Sequence, residues 1–113
     1  MARYLLNSAV ITAPGLYRYS LIDVEQAKRW LDAGDPPLST IRYEQTAVAL
    51  GMLIERPIEV CDLTIEMYPG DEALVFRLVL PPGTPRIDPQ NKGRLQEELR
   101  RGNWELGLLE RLA

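Results

Sequence analysis

The spacing of apolar and polar positions changes several times along this chain, and each change predicts an element. "RYLLNSAVIT" (3–12) is apolar and rich in Leu, Val and Ile, the pattern of a central strand buried on both faces. "APG" (13–15) predicts a turn. In "LYRYSLI" (16–22), Tyr17 and Tyr19 alternate with Arg18 and Ser20. That stretch is expected to pair back on the first strand as a short hairpin arm.

The period then becomes helical. Asp23 is placed to cap a helix, with Gln26 three residues on as its capping-box partner. Val24, Ala27, Trp30 and Leu31 share one face, and Gly34 with Asp35-Pro36-Pro37 ends the helix. A second helix is predicted over 43–54. Its core face is Ala47, Leu50, Leu53 and Ile54, with Glu44 and Gln45 in the first turn and Arg56-Pro57 closing it. "IEVCDLTIEMY" (58–68) alternates again: Cys61, Leu63, Ile65 and Met67 on one side, Asp62, Thr64 and Glu66 on the other. Pro69 and Gly70 suit a tight turn, and "EALVFRLVL" (72–80) then returns antiparallel, so that 58–80 is expected to form a hairpin. "PPGTPRIDPQ" (81–90) is a loop, either lying over a site or making a plain surface connection. Asp88 caps a third helix with Pro89 at its first position; the helix runs to about Arg101, stops at Gly102, and "WELGLLERL" (104–112) is a final strand. The sum is an α/β or α+β single domain over 1–113, a mixed sheet of about five strands with three flanking helices.

Composition narrows the chemistry. With 113 residues, 46% of them apolar and 26% charged, the chain has the make-up of one ordinary globular domain. No apolar run approaches the roughly 20 residues of a membrane span, so no membrane is expected as a partner. Tyr4 and Asn7 interrupt the N-terminal apolar segment, which reads as a strand rather than a secretory signal. One cysteine, Cys61, allows no internal disulfide and fits a reducing cytoplasm; its expected state is buried and inert. The chain contains no histidine. Ser-His and Cys-His nucleophiles are thereby excluded, a zinc or haem site has no support, and no metal or cofactor is expected. A net charge of −3 argues against a general coat for long nucleic acid. It leaves room for a small anionic ligand in a locally positive pocket.

Four blocks carry a resemblance: "YLLNSAVIT" at the start, "STIRYEQTAVAL" in the middle, "PGDEALVFRL" before the loop and "ELGLLERL" at the end. In order and spacing they resemble the small viral and bacterial ring nucleases, the type III anti-CRISPR family. The resemblance implies a homodimer that holds cyclic tetra-adenylate, the second messenger of type III CRISPR complexes, in a cleft at its two-fold axis. It also implies a metal-independent reaction. A ribose 2′-hydroxyl attacks its own phosphodiester, leaving a linear product with a cyclic 2′,3′-phosphate and switching the signal off. The protein then has to align the attack, stabilise phosphate charge and protonate the departing oxygen. A helix N-terminus suits the phosphate, and the helix beginning near Tyr43, with Ser39 and Thr40 just ahead of it, is the expected one.

Carried over residue by residue, the resemblance makes Asn7 a ligand contact, with Ser8 beside it, and aligns Thr46 and Glu44 with the family's threonine and acidic position. Other positions depart. Arg42 replaces a glycine, Tyr43 replaces the general-acid histidine, and in "VLPPG" Val79 and Pro82 stand where the family has an arginine and a glutamate. Tyrosine is a poorer acid than histidine near neutral pH, with an ordinary pKa near ~10. A substitute site of Arg42, Tyr43 and Arg77 is expected if catalysis survives; binding without efficient cleavage, as a sensor or sponge, is the alternative. Each residue also has a plainer reading. Tyr43 packs its ring, Arg42 is a solvated charge, Arg77 pairs with Glu66 across the hairpin, Asn7 satisfies a neighbouring loop, and Trp30 and Trp104 belong to the core.

Overall fold

Asp23 accepts a hydrogen bond from the Gln26 amide at 2.7 Å while its own amide donates to the Gln26 side chain at 2.9 Å, which completes the expected capping box. The computed structural model describes residues 1–9 and 13–113. Along the chain run β1 (Arg3–Leu6), β2 (Tyr17–Leu21), α1 (Val24–Asp32), β3 (Leu38–Ser39), α2 (Glu44–Ile54), β4 (Glu72–Leu78), α3 (Lys92–Arg100) and β5 (Trp104–Arg111). The five strands form one mixed sheet in the order β2-β5-β4-β1-β3. β1 is parallel to both β3 and β4, and β5 is antiparallel to β4 and β2. The expected class, a mixed five-stranded sheet with three helices, is what forms.

Strand alternation sorts the core into two. One face presents Leu5, Leu74, Phe76 and Leu106 to helix residues including Ala27, Leu31, Ala47, Leu50, Ile54 and Leu95. Phe76, Leu74 and Leu50 are fully shielded there, and each such burial contributes about 1.5–3 kcal/mol. Trp30 and Trp104 pack at the margin of this cluster, as expected of core residues, with indole N–H groups donating to Glu72 and to the Leu99 carbonyl. The opposite face carries Leu6, Ala73, Val75 and Leu109, covered by Met67, Ile65, Tyr4 and Tyr17.

Several local expectations are corrected. The 58–80 hairpin does not form. Both edges of β4 are occupied, by β1 and β5, so 58–68 has no place beside it. Instead 58–68 passes the outer edge of the sheet, where the Cys61 amide donates to the Ile41 carbonyl at 2.9 Å, and then lays Ile65 and Met67 on the helix-free face. Its alternation reports inward and outward environments rather than strand pairing. Arm 16–22 pairs with β5 and not with the first strand. The first strand ends at Leu6, and the expected continuation over 10–12 lies outside the described residues. Asp88 and Pro89 open a turn, with the Gln90 amide on the Asp88 carboxylate; the third helix is capped by Asn91. The 68–71 turn forms as expected: Gly70 has φ +95°, and the Asp71 amide donates to Tyr68 O at 2.9 Å. Asp71 is buried and its carboxylate accepts from the amides of Ala2 and Tyr68, tying the start of β1 to this turn.

Candidate functional site

β1 and β3 lie side by side and parallel, so their carboxyl ends open on the same edge, next to the first turn of α2. Crevices beyond the carboxyl ends of parallel strands are the usual ligand sites of open α/β sheets. Here the crevice is a cleft of about 320 Å³ lined by Leu6, Asn7, Ser8, Thr40, Arg42, Tyr43, Leu63, Thr64 and Ile65. No carboxylate is among these residues, although the chain as a whole carries −3.

The backbone places the polar members. The Thr40 amide and hydroxyl both donate to the Leu5 carbonyl, at 2.9 and 3.0 Å, which pins the 40–43 connection to the end of β1. Arg42 is held from outside: its Nε lies 3.1 Å from the exposed Asp62 carboxylate, and its terminal nitrogen donates to Thr64 Oγ1 at 3.2 Å. Tyr43 is the N-cap of α2 in extended conformation and makes no side-chain cap hydrogen bond, so no side chain of its own covers the tip of the helix beside the cleft. Among the described residues, the Tyr43 hydroxyl and the half-buried Asn7 amide have no hydrogen-bond partner. The Asn7 side chain thus lines the cleft with its amide unspent.

The sequence-derived residues therefore divide. Asn7, Ser8, Thr40, Arg42 and Tyr43 come together. Ser39, Thr46 and Arg77 lie outside the cleft lining. Ser39 Oγ donates to the Glu59 carbonyl at 2.6 Å and accepts from the Ile41 amide, shaping the chain ahead of α2. Thr46 is buried. Arg77 projects from β4 toward Glu105 of β5, 3.4 Å away, and not toward Glu66. Glu105 also accepts from the Tyr19 hydroxyl at 2.9 Å. Hydrogen bonds from Tyr19 and Arg77 hold the Glu105 carboxyl below its usual range. Burial, reinforced by the bond to Glu105, pushes the Tyr19 phenol up to about 12.

The sequence reading missed Thr64 and Arg86. Thr64 was placed in a strand that does not exist, although its alternating position already put it on the same side as Asp62. Arg86 belongs to loop 81–90, and its guanidinium carbon sits 4.4 Å from the centre of the Tyr43 ring. The loop is fastened there by the Ile87 amide, which donates to the Gln45 side chain at 2.8 Å, and by burial of Ile87. Through Arg86 and Ile87 the loop touches the start of α2, although none of its residues is in the cleft lining. Among the described residues no group of three His, Cys, Asp or Glu side chains is placed to hold a metal, and no helix is long and apolar enough to cross a membrane.

Fold and cleft together define a small α/β domain with a hydroxyl-, amide- and guanidinium-lined pocket at a helix tip. The chain belongs to the STIV B116-like family, whose model matches residues 3–104. It is similar to the uncharacterized protein YddF of Bacillus subtilis (strain 168), with 31% identity over 108 residues spanning 95% of this chain and 94% of that one. Among solved structures it is similar to B116 of Sulfolobus turreted icosahedral virus, with a TM-score of 0.72, 17% identity, and coverage of 97% of this chain and 99% of the other. At that identity the likeness speaks for the fold.

Proposed function

We propose that this chain, as one ring-nuclease-like domain paired in a homodimer, binds a cyclic oligoadenylate, cyclic tetra-adenylate foremost, in the cleft at the head of α2, and so modulates type III CRISPR signalling. The observation that carries the reading is the cleft itself. It joins the uncapped tip of α2 at Tyr43, the unpartnered Asn7 amide and the Arg42 guanidinium, whose exposed partner Asp62 lies outside a lining that holds no acidic side chain. That donor set fits a phosphodiester. The family membership and the resemblance in the four sequence blocks support the choice of ligand.

Cleavage at this site needs no metal. The 2′-oxygen attacks phosphorus, the bond from phosphorus to the 5′-oxygen breaks, and the proton lost by the 2′-hydroxyl is matched by one delivered to the 5′-oxygen. In this reading Arg42 stabilises the phosphate charge and the Tyr43 hydroxyl donates the proton. A second reading, retention of the intact ring as a sensor or sponge, is favoured by one observation: the cleft lining contains neither an imidazole nor a carboxyl group to move protons near neutral pH. Incubation of the pure protein with labelled cyclic tetra-adenylate in a chelator, followed by separation of products, decides between them. Linear product bearing a cyclic phosphate establishes the enzyme. Retained intact ring with a raised melting temperature establishes the binder. Neither binding nor cutting refutes the proposal and leaves an interaction dimer on the same scaffold.

A further inference from the structure

A ring of four nucleotides is larger than a cleft of about 320 Å³, which sits at the low end of small-ligand pockets. Most of such a ligand lies over the rim, and on the rim stands Arg86. Its guanidinium carbon is 4.4 Å from the centre of the Tyr43 ring, which itself lines the cleft. Several other arginines are spent, Arg18 on Glu110, Arg56 on Asp32, Arg77 on Glu105, and Arg111 on the carbonyls of Met67 and Pro14, while Arg29 on α1 and Arg94 on α3 do not line the cleft. Arg86 is exposed and has no ion pair or hydrogen bond among the described residues. A guanidinium resting over an aromatic ring without a carboxylate partner keeps N–H donors available for a phosphate. The Ile87–Gln45 bond fixes the neighbouring backbone, so less freedom is lost when the fork closes on an anion.

We infer that Arg86, steadied on the Tyr43 ring, is a second phosphate-gripping residue of the site, taking a phosphodiester of the bound ring at the cleft rim while Arg42 serves one inside. The inference rests on the ligand class proposed above. It gives Tyr43 a role for its ring, separate from any role for its hydroxyl.

The test measures binding of labelled cyclic tetra-adenylate against salt for the full chain. Arg86→Ala weakens binding about tenfold and lowers the salt slope by about 0.7, the share of one phosphate contact on a single strand. Arg86→Lys keeps the slope and loses only part of the affinity, because it retains the charge without the fork. Tyr43→Leu, which removes the ring face, loses affinity and slope as Arg86→Ala does, and the double variant is no worse than either. Melting temperatures of all variants stay near wild type, since Arg86 is exposed. Wild-type affinity and slope in Arg86→Ala overturn this inference alone; so does a weaker affinity whose salt slope is unchanged. Failure of the wild-type protein to bind the ring overturns the ligand class, and this inference with it.

Discussion

Two of the places where a tyrosine meets an arginine are built in opposite ways. On the helix-free face of the sheet, Tyr19, Arg77 and Glu105 form a closed set: the phenol and the guanidinium both donate to one carboxylate. At the head of α2, Arg86 lies over the Tyr43 ring, and neither side chain has a hydrogen-bond partner among the described residues. The first cluster satisfies itself and reads as architecture. The second leaves its donors outward, which fits a ligand. Arg42 stands between the two cases, tethered to Asp62 and Thr64 but still lining the cleft.

The largest expected effect separates the two clusters by ligand affinity. Arg42→Ala lowers affinity for cyclic tetra-adenylate about tenfold to a hundredfold, the loss of a charge-assisted contact. Its melting temperature moves little, because the Arg42–Asp62 pair is largely exposed. Calorimetric titration and a thermal melt check both halves, and unchanged affinity would break the comparison. Tyr19→Phe is the mirror case. It removes the hydrogen bond to Glu105 and costs about 1 kcal/mol in urea unfolding, with ring affinity unchanged. Gly107→Ala acts on the same cluster from below. A Cβ there would collide with the ring end of Tyr19, so the ring swings off Glu105. The expected loss is again about 1 kcal/mol, and the phenol titrates nearer its ordinary value.

The smallest effect is in pH dependence. The Tyr19 phenol is pushed up to about 12, first by burial and then by Glu105. The proton is therefore held more tightly in the folded chain than in the unfolded one. That contribution to stability is complete below about pH 10, the phenol's ordinary value, and is lost as pH rises toward 12. Ultraviolet titration loses one late-ionising tyrosine in Tyr19→Phe, while Tyr4, raised first by burial and then by Asp71, remains. Glu105, held low by Tyr19 and Arg77, gives the opposite sign. Its contribution is present above the ordinary carboxylate range and is lost as pH falls below it.

Helices were the most legible parts of the sequence, because their signals are local, although the cap expected at Asp88 falls on Asn91. The Asp23–Gln26 box and the stop at Gly102 are read from a few adjacent residues. Strand partners were not legible, since pairing depends on which edges other strands have already taken. "IEVCDLTIEM" alternates like a strand, yet β4 has no free edge to offer it. The same limit governed the site. Asn7, Ser8, Thr40, Arg42 and Tyr43 flank the carboxyl ends of β1 and β3 and could be found by block and motif. Arg86 could not, because its approach to Tyr43 depends on a bond between Ile87 and Gln45 from distant parts of the chain. Arg77 was mistaken for a cleft residue because a lone charge inside an apolar strand looks the same whichever neighbour receives it.

The outermost strand beside the cleft, β3, is only two residues long and follows directly on Pro36-Pro37. A stray chain seeking to extend the sheet there finds almost no ladder to copy and a pair of residues that donate no amide. This margin of the protein is thus a poor seed for runaway sheet growth, and replacing both prolines with valine would hand an intruding strand the template it lacks.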